Sequence, residues 1–239
     1  RFTALNGGNN PGYGLGAVDA ITGASMPWKI NATVRNGGTA AGINSLYSDG
    51  VSVYGTGWVF GGGGNFEGTF NARWSDGETI WLSDCHGDHY SVWSDTKAAY
   101  SVSHAHYCGN VGSFPQTSSW KYYHANAWSA VATGKVTLET VGYANFSGNP
   151  APNPLVWQPS FDVGTFTRQY QGPWHVTGNS QYVVMGGEFR NVNFKPQQGL
   201  VRFAVTSIAP NKEQPKLWGT GWVLRGTSTV TGTVRMSWA

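Results

Sequence analysis

Three features of the sequence predict an all-β fold of short antiparallel strands. Helical periodicity is missing, because no stretch keeps apolar residues at i, i+3, i+4 and i+7 across about 12 positions without an intervening Gly or Pro. The composition agrees: 34 of 239 residues are Gly, 14% are aromatic and only 11% are charged. A coiled coil or a charged helical bundle needs far more charge, and a disordered chain far fewer aromatics. Finally, short alternating segments recur on either side of tight polar turns, which is the pattern of β-hairpins.

Four such hairpins follow in chain order. Ile43 to Tyr47 and Val51 to Tyr54 flank Ser48-Asp49-Gly50, and Phe70 to Trp74 and Thr79 to Leu82 flank Ser75-Asp76-Gly77. His89 to Trp93 and Ala98 to His104 flank Ser94-Asp95-Thr96. His175 to Thr177 and Gln181 to Met185 flank Gly178-Asn179-Ser180, with a further strand at Leu200 to Phe203. In each case a short Asp, Asn or Ser side chain can satisfy the turn's backbone donors while the neighbours alternate between faces.

The remaining composition excludes function classes. A net charge of +3 arises from 15 Lys and Arg against 12 Asp and Glu. The cations are scattered with no run of three, so the basic footprint of a nucleic-acid binder is missing. Apolar runs such as Trp58-Val59-Phe60 and Tyr182 to Met185 fall far short of the roughly 20 positions of a membrane-spanning helix. Low charge with many aromatics and amides suits a protein working outside the cell. The first residues, Arg1 to Gly8, show no basic stretch followed by an apolar one, so a secretory leader has been removed or the chain is a fragment. Two sequons, at Asn31 and Asn145, matter only in a glycosylating host.

A repeat sharpens the fold expectation. Trp174 to Thr177, Gln181 to Met185, Gly186-Gly187-Glu188-Phe189, an Asn-containing turn at Asn191 to Asn193 and Leu200 to Phe203 form one unit. Its second half reappears at Phe2 to Gly7, followed by Gly14 to Asp19 and Thr22 to Trp28. Val51 to Gly57 and Ala99 to Ser103 fill the Gln181–Met185 position more loosely. The spacing predicts a β-propeller-like fold of antiparallel blades, with roughly four blade equivalents and an incomplete first blade.

The Gly-Gly-x-Phe-x-x-x-Asn repeat closing in Thr-Gly-x-x-x-Pro-Trp resembles the β-propeller region of large actinobacterial secreted proteins and of related actinobacteriophage minor tail proteins. Gly61 to Asn65, Asp84-Cys85-His86-Gly87-Asp88 and Ser103 to Asn110 share in the likeness, whose most specific part is the His/Cys segment. The resemblance implies blades over residues 1–210, a linker over 211–230, and at 231–239 the first strand of a fibronectin-like module. It further implies surface or adhesion architecture, with other domains of a larger chain as neighbours.

One constellation, residues 84–110, is dense in chemistry. If 99–108 is a strand, His104, His106 and Cys108 project from one face, with Cys85, Asp84, His86, Asp88 and His89 close by. One reading is a Cys85–Cys108 disulfide closing a loop of about 22 residues, worth roughly 3 kcal/mol. A second is tetrahedral zinc on Cys85, His104, His106 and Cys108. A third keeps the disulfide and places a divalent metal on His86, His104, His106 and Asp84 or Asp88, with an open position that activates water. Glu67, Glu78, Glu139, Glu188 and Glu213 lie far apart in sequence, so no glycosidase pair emerges. Nucleophile motifs are absent as well, and Gly61 to Gly64 reads as a hairpin tip, not a phosphate loop. Catalysis is therefore not indicated, and no resident cofactor is expected beyond that divalent metal.

Aromatics supply the remaining candidate site. Trp120, Tyr122, Tyr123 and His124 lie in a polar stretch, and Asn65 and Phe66 lie beside a Gly-rich loop; both offer ring faces and amides for a sugar. The sequence thus points to an extracellular or virion-surface binding and structural module for polysaccharide or cell-envelope glycan. The alternatives are a metal-dependent hydrolase on His86, His104 and His106, or a structural spacer. Open blade edges add an expectation of self-association.

Overall fold

A computed structural model describes residues 2–7, 12–209 and 225–237. It divides into two units, residues 1–204 and 205–239. The first is all-β apart from one turn of helix and a 3-10 turn at Gly109–Val111. A two-stranded ribbon opens it, β1 (Ala17–Val18) with β2 (Ser25–Met26), and helix α1 (Ile30–Thr33) follows.

Two four-stranded antiparallel meanders come next, each taken in sequence order. The first is β3 (Ala41–Ser48), β4 (Ser52–Val59), β5 (Gly68–Arg73) and β6 (Thr79–Ser83). The second is β7 (His89–Ser94), β8 (Ala98–Ala105), β9 (Tyr123–Lys135) and β10 (Pro150–Pro154). A three-stranded sheet then joins β11 (Pro173–Gly178), β12 (Tyr182–Gly187) and β15 (Leu200–Ala204). Between the last two strands runs a small ribbon of β13 (Asn191–Val192) and β14 (Lys195–Pro196). Strand β7 packs against β3 and β4 on one hand and β11 on the other, and β10 meets β6.

All four expected hairpins form, and their turns share one device. Asp49, Asp95 and Asn179 each use Oδ1 to accept backbone N–H groups two and three residues on, at 2.7–3.0 Å. Asp76 accepts from Glu78 N in the fourth. Such Asx turns satisfy donors that a loop of three to five residues leaves unpaired. Gly50, at φ 91°, takes the left-handed position in the first turn.

Large aromatics alternate inward from these strands. Trp81, Trp128, Tyr54, Phe66 and Phe70 are fully buried in one apolar cluster, and Phe161, Met185, Phe189 and Val201 belong to a second. Asn36, also fully buried, ties the turn before β5 to β3 and β4. Its Nδ2 donates to the carbonyls of Phe66 (2.6 Å) and Trp58 (3.2 Å), and its Oδ1 accepts from Asn65 N and Phe66 N.

The second unit contains a hairpin of β16 (Arg225–Val230) and β17 (Thr233–Ser237). The expected linker, 211–230, lies outside the described residues as far as 224. Its last six residues are strand, because Arg225 to Thr227 and Val230 pair with the segment beyond the Gly232 turn. Residues 233–237 form the second arm of that ribbon.

Candidate functional site

Cys85 and Cys108 form a disulfide with a Cα–Cα distance of 4.4 Å. Both thiolates are consumed, which removes the zinc reading that required them. The bridge fastens the turn after β6 to the 3-10 turn, and the backbones of His86 and Tyr107 pair beside it.

The expected one-face row of His104, His106 and Cys108 does not form. Pairing of β8 with β9 shifts register between Val102 and Ala105, and the strand ends at Ala105. A bulge re-aims side chains, so strict alternation fails there. Consequently the metal set of His86, His104, His106, Asp84 and Asp88 is divided. Among the described residues, one group of three ligating side chains falls together: Asp84, His86 and Glu139.

That group borders a cavity of about 250 Å³ lined by Glu67, Asp84, His86, Tyr143 and neighbouring Gly residues. His86 Nε2 lies 2.9 Å from Glu139 Oε2, and Tyr107 and Tyr143 stack on its ring at 5.0 and 3.7 Å. Asn110 donates to Asp84 Oδ2 at 2.6 Å, and Gly87 N donates to Glu67 Oε2 at 3.0 Å. Burial, reinforced by the nearby Glu139 carboxylate, pushes Asp84 up to about 8. Burial raises Glu67 to about 7 despite the Gly87 N–H, and raises Asp88 to about 6. Burial also lowers His86, against the pull of Glu139.

His104 and His106 belong to a different surface. His106, 4% exposed, holds Gln116 Oε1 at 3.0 Å and stacks on the indole of Trp120 at 3.9 Å and 13°. Trp120 itself is 46% exposed and Tyr122 47%. Tyr122 meets Trp120, His106 and His104 edge to face. Beside this shelf lies a cleft of about 190 Å³ lined by His104, Tyr122, His124, Val163, Gln169, Tyr170 and Gln171. His104 Nδ1 sits 2.7 Å from the Tyr90 hydroxyl and 3.2 Å from Gln171 Oε1, while Gln171 Nε2 donates to Gln169 O. His124 Nδ1 donates to Ser103 O at 3.1 Å. Burial lowers the pKa of His104, His106 and His124, so all three are neutral at pH 7 and offer both donor and acceptor nitrogens.

The aromatic candidates therefore separate. Trp120 and Tyr122 are exposed as the sequence suggests, and His124 lines the cleft from a buried position. Tyr123 is half-buried and stacks on Phe114 at 3.7 Å. Phe66 is wholly buried against Phe70 and Phe146, so it is core and not a ligand contact. Asn65 borders the carboxylate cavity, but its side chain accepts from Arg35 N and donates to Thr33 O, which makes it a loop clamp. Sequence reasoning missed Gln169, Tyr170 and Gln171, which come from an irregular loop without periodicity, and it set Glu139 aside. One signal pointed to Glu139: it is the only charged residue between Lys135 and Asp162. Of the sequons, Asn31 is 1% exposed and closed to glycosylation in the folded chain, whereas Asn145 is exposed.

His89, fully buried, donates Nδ1–H to Gly87 O at 2.8 Å, and its Nε2 meets no partner among the described residues. Burial pushes its pKa down from 6.5 to about 3. A depressed histidine makes the unfolded chain bind the extra proton first, so its contribution is complete above about pH 6.5 and is lost as pH falls toward 3. Urea midpoints should therefore fall less between pH 7 and pH 4 in His89→Leu than in the wild type; equal falls would show that His89 does not carry this dependence.

Compared with protein-family models, with curated proteins and with solved structures, the chain matches none.

Proposed function

We propose that the protein is an extracellular or virion-surface binding module that holds a neutral polysaccharide or cell-envelope glycan against Trp120 and Tyr122. One observation carries this reading. Two half-exposed aromatic rings, one of them backed by His106, adjoin a cleft whose lining, among the described residues, contains amides, imidazoles and two phenols but no charged side chain. Sugar rings present flat C–H faces that rest on aromatic planes, and their hydroxyls need uncharged donors and acceptors at the edges. The backing matters because a ring already held by a buried, hydrogen-bonded histidine loses little freedom when a ligand stacks on it. The disulfide supports an oxidising compartment.

The same reading takes the three larger sheets as successive blades of a propeller akin to those of actinobacterial secreted proteins and phage tail proteins. Sequential strand order in the two meanders, and the packing of β7 between its neighbours, support it. An array of neutral plant, fungal and bacterial-envelope glycans tests the function. The wild type should retain at least one class, and Trp120→Ala should weaken that signal at least tenfold without moving the melting temperature. A blank array for the folded wild type would overturn the reading.

A further inference from the structure

Asp84 and His86 flank Cys85, so the bridge to Cys108 holds both on one fastened turn. Glu139 reaches them from 53 residues further along, with Oε2 2.9 Å from His86 Nε2. One donor atom from each of the three lies within 4.8 Å of the other two. Ligand atoms at roughly 2.0–2.2 Å from one cation stand about 3–4.4 Å apart, so a small contraction closes the three around a single ion. The imidazole is already oriented, because the rings of Tyr107 and Tyr143 stack on it.

A separate observation points to a ligand there. Asp84 is 1% exposed and receives one hydrogen bond, from Asn110 into Oδ2. Its other oxygen meets no donor among the described residues, and the side chain lines the 250 Å³ cavity. Asn110, the donor to Asp84, has a fully buried Oδ1 that meets no partner among the described residues. Buried oxygens lacking donors are costly unless something electropositive reaches them.

We propose that Asp84, His86 and Glu139 bind one divalent first-row transition cation, with water in the cavity completing its coordination. One imidazole and two carboxylates suit zinc or manganese better than calcium, which takes six to eight oxygens. Its ligands are distinct from the glycan shelf, since neither His104 nor His106 belongs to the group, although the ring of Tyr143 lies against both His86 and His106.

Calorimetric titration of the chelator-treated, disulfide-bonded chain with zinc chloride at pH 7 tests it. One zinc per chain is expected, and Asp84→Asn and Glu139→Gln should each bind at least tenfold more weakly. Asn at 84 still accepts from Asn110, so the turn should persist, and the exposed Glu78→Gln should match the wild type. A second measurement needs no variant: cobalt(II) bound to the wild type should show d–d bands of a nitrogen and oxygen site without thiolate charge transfer. Absence of stoichiometric zinc, unchanged affinity in both variants, or a thiolate band would each overturn the proposal.

Discussion

Trp81→Ala is expected to lower stability by about 3–5 kcal/mol, the range for emptying a buried Trp site. Trp81 is fully buried on β6 and packs on Tyr54 at 6.0 Å. Its Nε1–H donates to Ala130 O on β9 at 3.0 Å, so the side chain ties the first meander to the second. Asn71 Nδ2 donates to the same carbonyl at 3.2 Å, so that acceptor stays paired and the cost is mainly packing. Trp81→Phe should accordingly cost less than Trp81→Ala. Trp74→Ala, at a site 58% exposed, should remain within about 0.5 kcal/mol of the wild type. Urea unfolding followed by far-UV circular dichroism gives the three values. A Trp81→Ala loss no larger than that of Trp74→Ala would contradict the packing account.

Removing the disulfide comes next in size. The paired Cys85→Ala and Cys108→Ala variant should lose about 3 kcal/mol through the added freedom of the unfolded chain. The bridge closes a separation of 23 residues, and both cysteines are fully buried in the main apolar cluster. Alanine leaves no unpaired polar atom behind, which isolates the loop-closure effect better than serine would. Reductant should bring the wild type toward the variant's midpoint and leave the variant unmoved. A wild type indifferent to reductant would show that the bridge contributes little.

The hairpins were legible because each depends on a local rule: an Asp or Asn at the turn, with alternation on either side. Asp49, Asp76, Asp95 and Asn179 act within three residues of themselves, so sequence alone carries the information. The disulfide was legible as one of several readings, since pairing depends on which turn meets which strand. The sites were less so. Strict alternation along 99–108 placed His104 and His106 with Cys108, whereas the bulge near Ala105 sends the two histidines to the Trp120 shelf. Glu139 joins His86 across 53 residues of chain, a contact that no local pattern encodes. Phe66 was misread because its Gly-rich flank looks exposed, while Asn36 and Asn65 draw that loop inward. The Gln169 to Gln171 wall sits in a loop where Arg168 and Tyr170 take positive φ, which neither residue type announces.

In the proposed function a glycan rests on Trp120 and Tyr122. The most direct test is a titration, followed by nuclear magnetic resonance, of the glycan that the array retains. The Trp120 indole N–H signal is assigned from its loss in Trp120→Phe. This signal should shift with glycan, the sugar C–H protons should receive saturation from aromatic protons, and both effects should vanish in Trp120→Ala/Tyr122→Ala while the remaining spectrum stays folded. Glycan binding of unchanged affinity in that double variant would contradict the proposal.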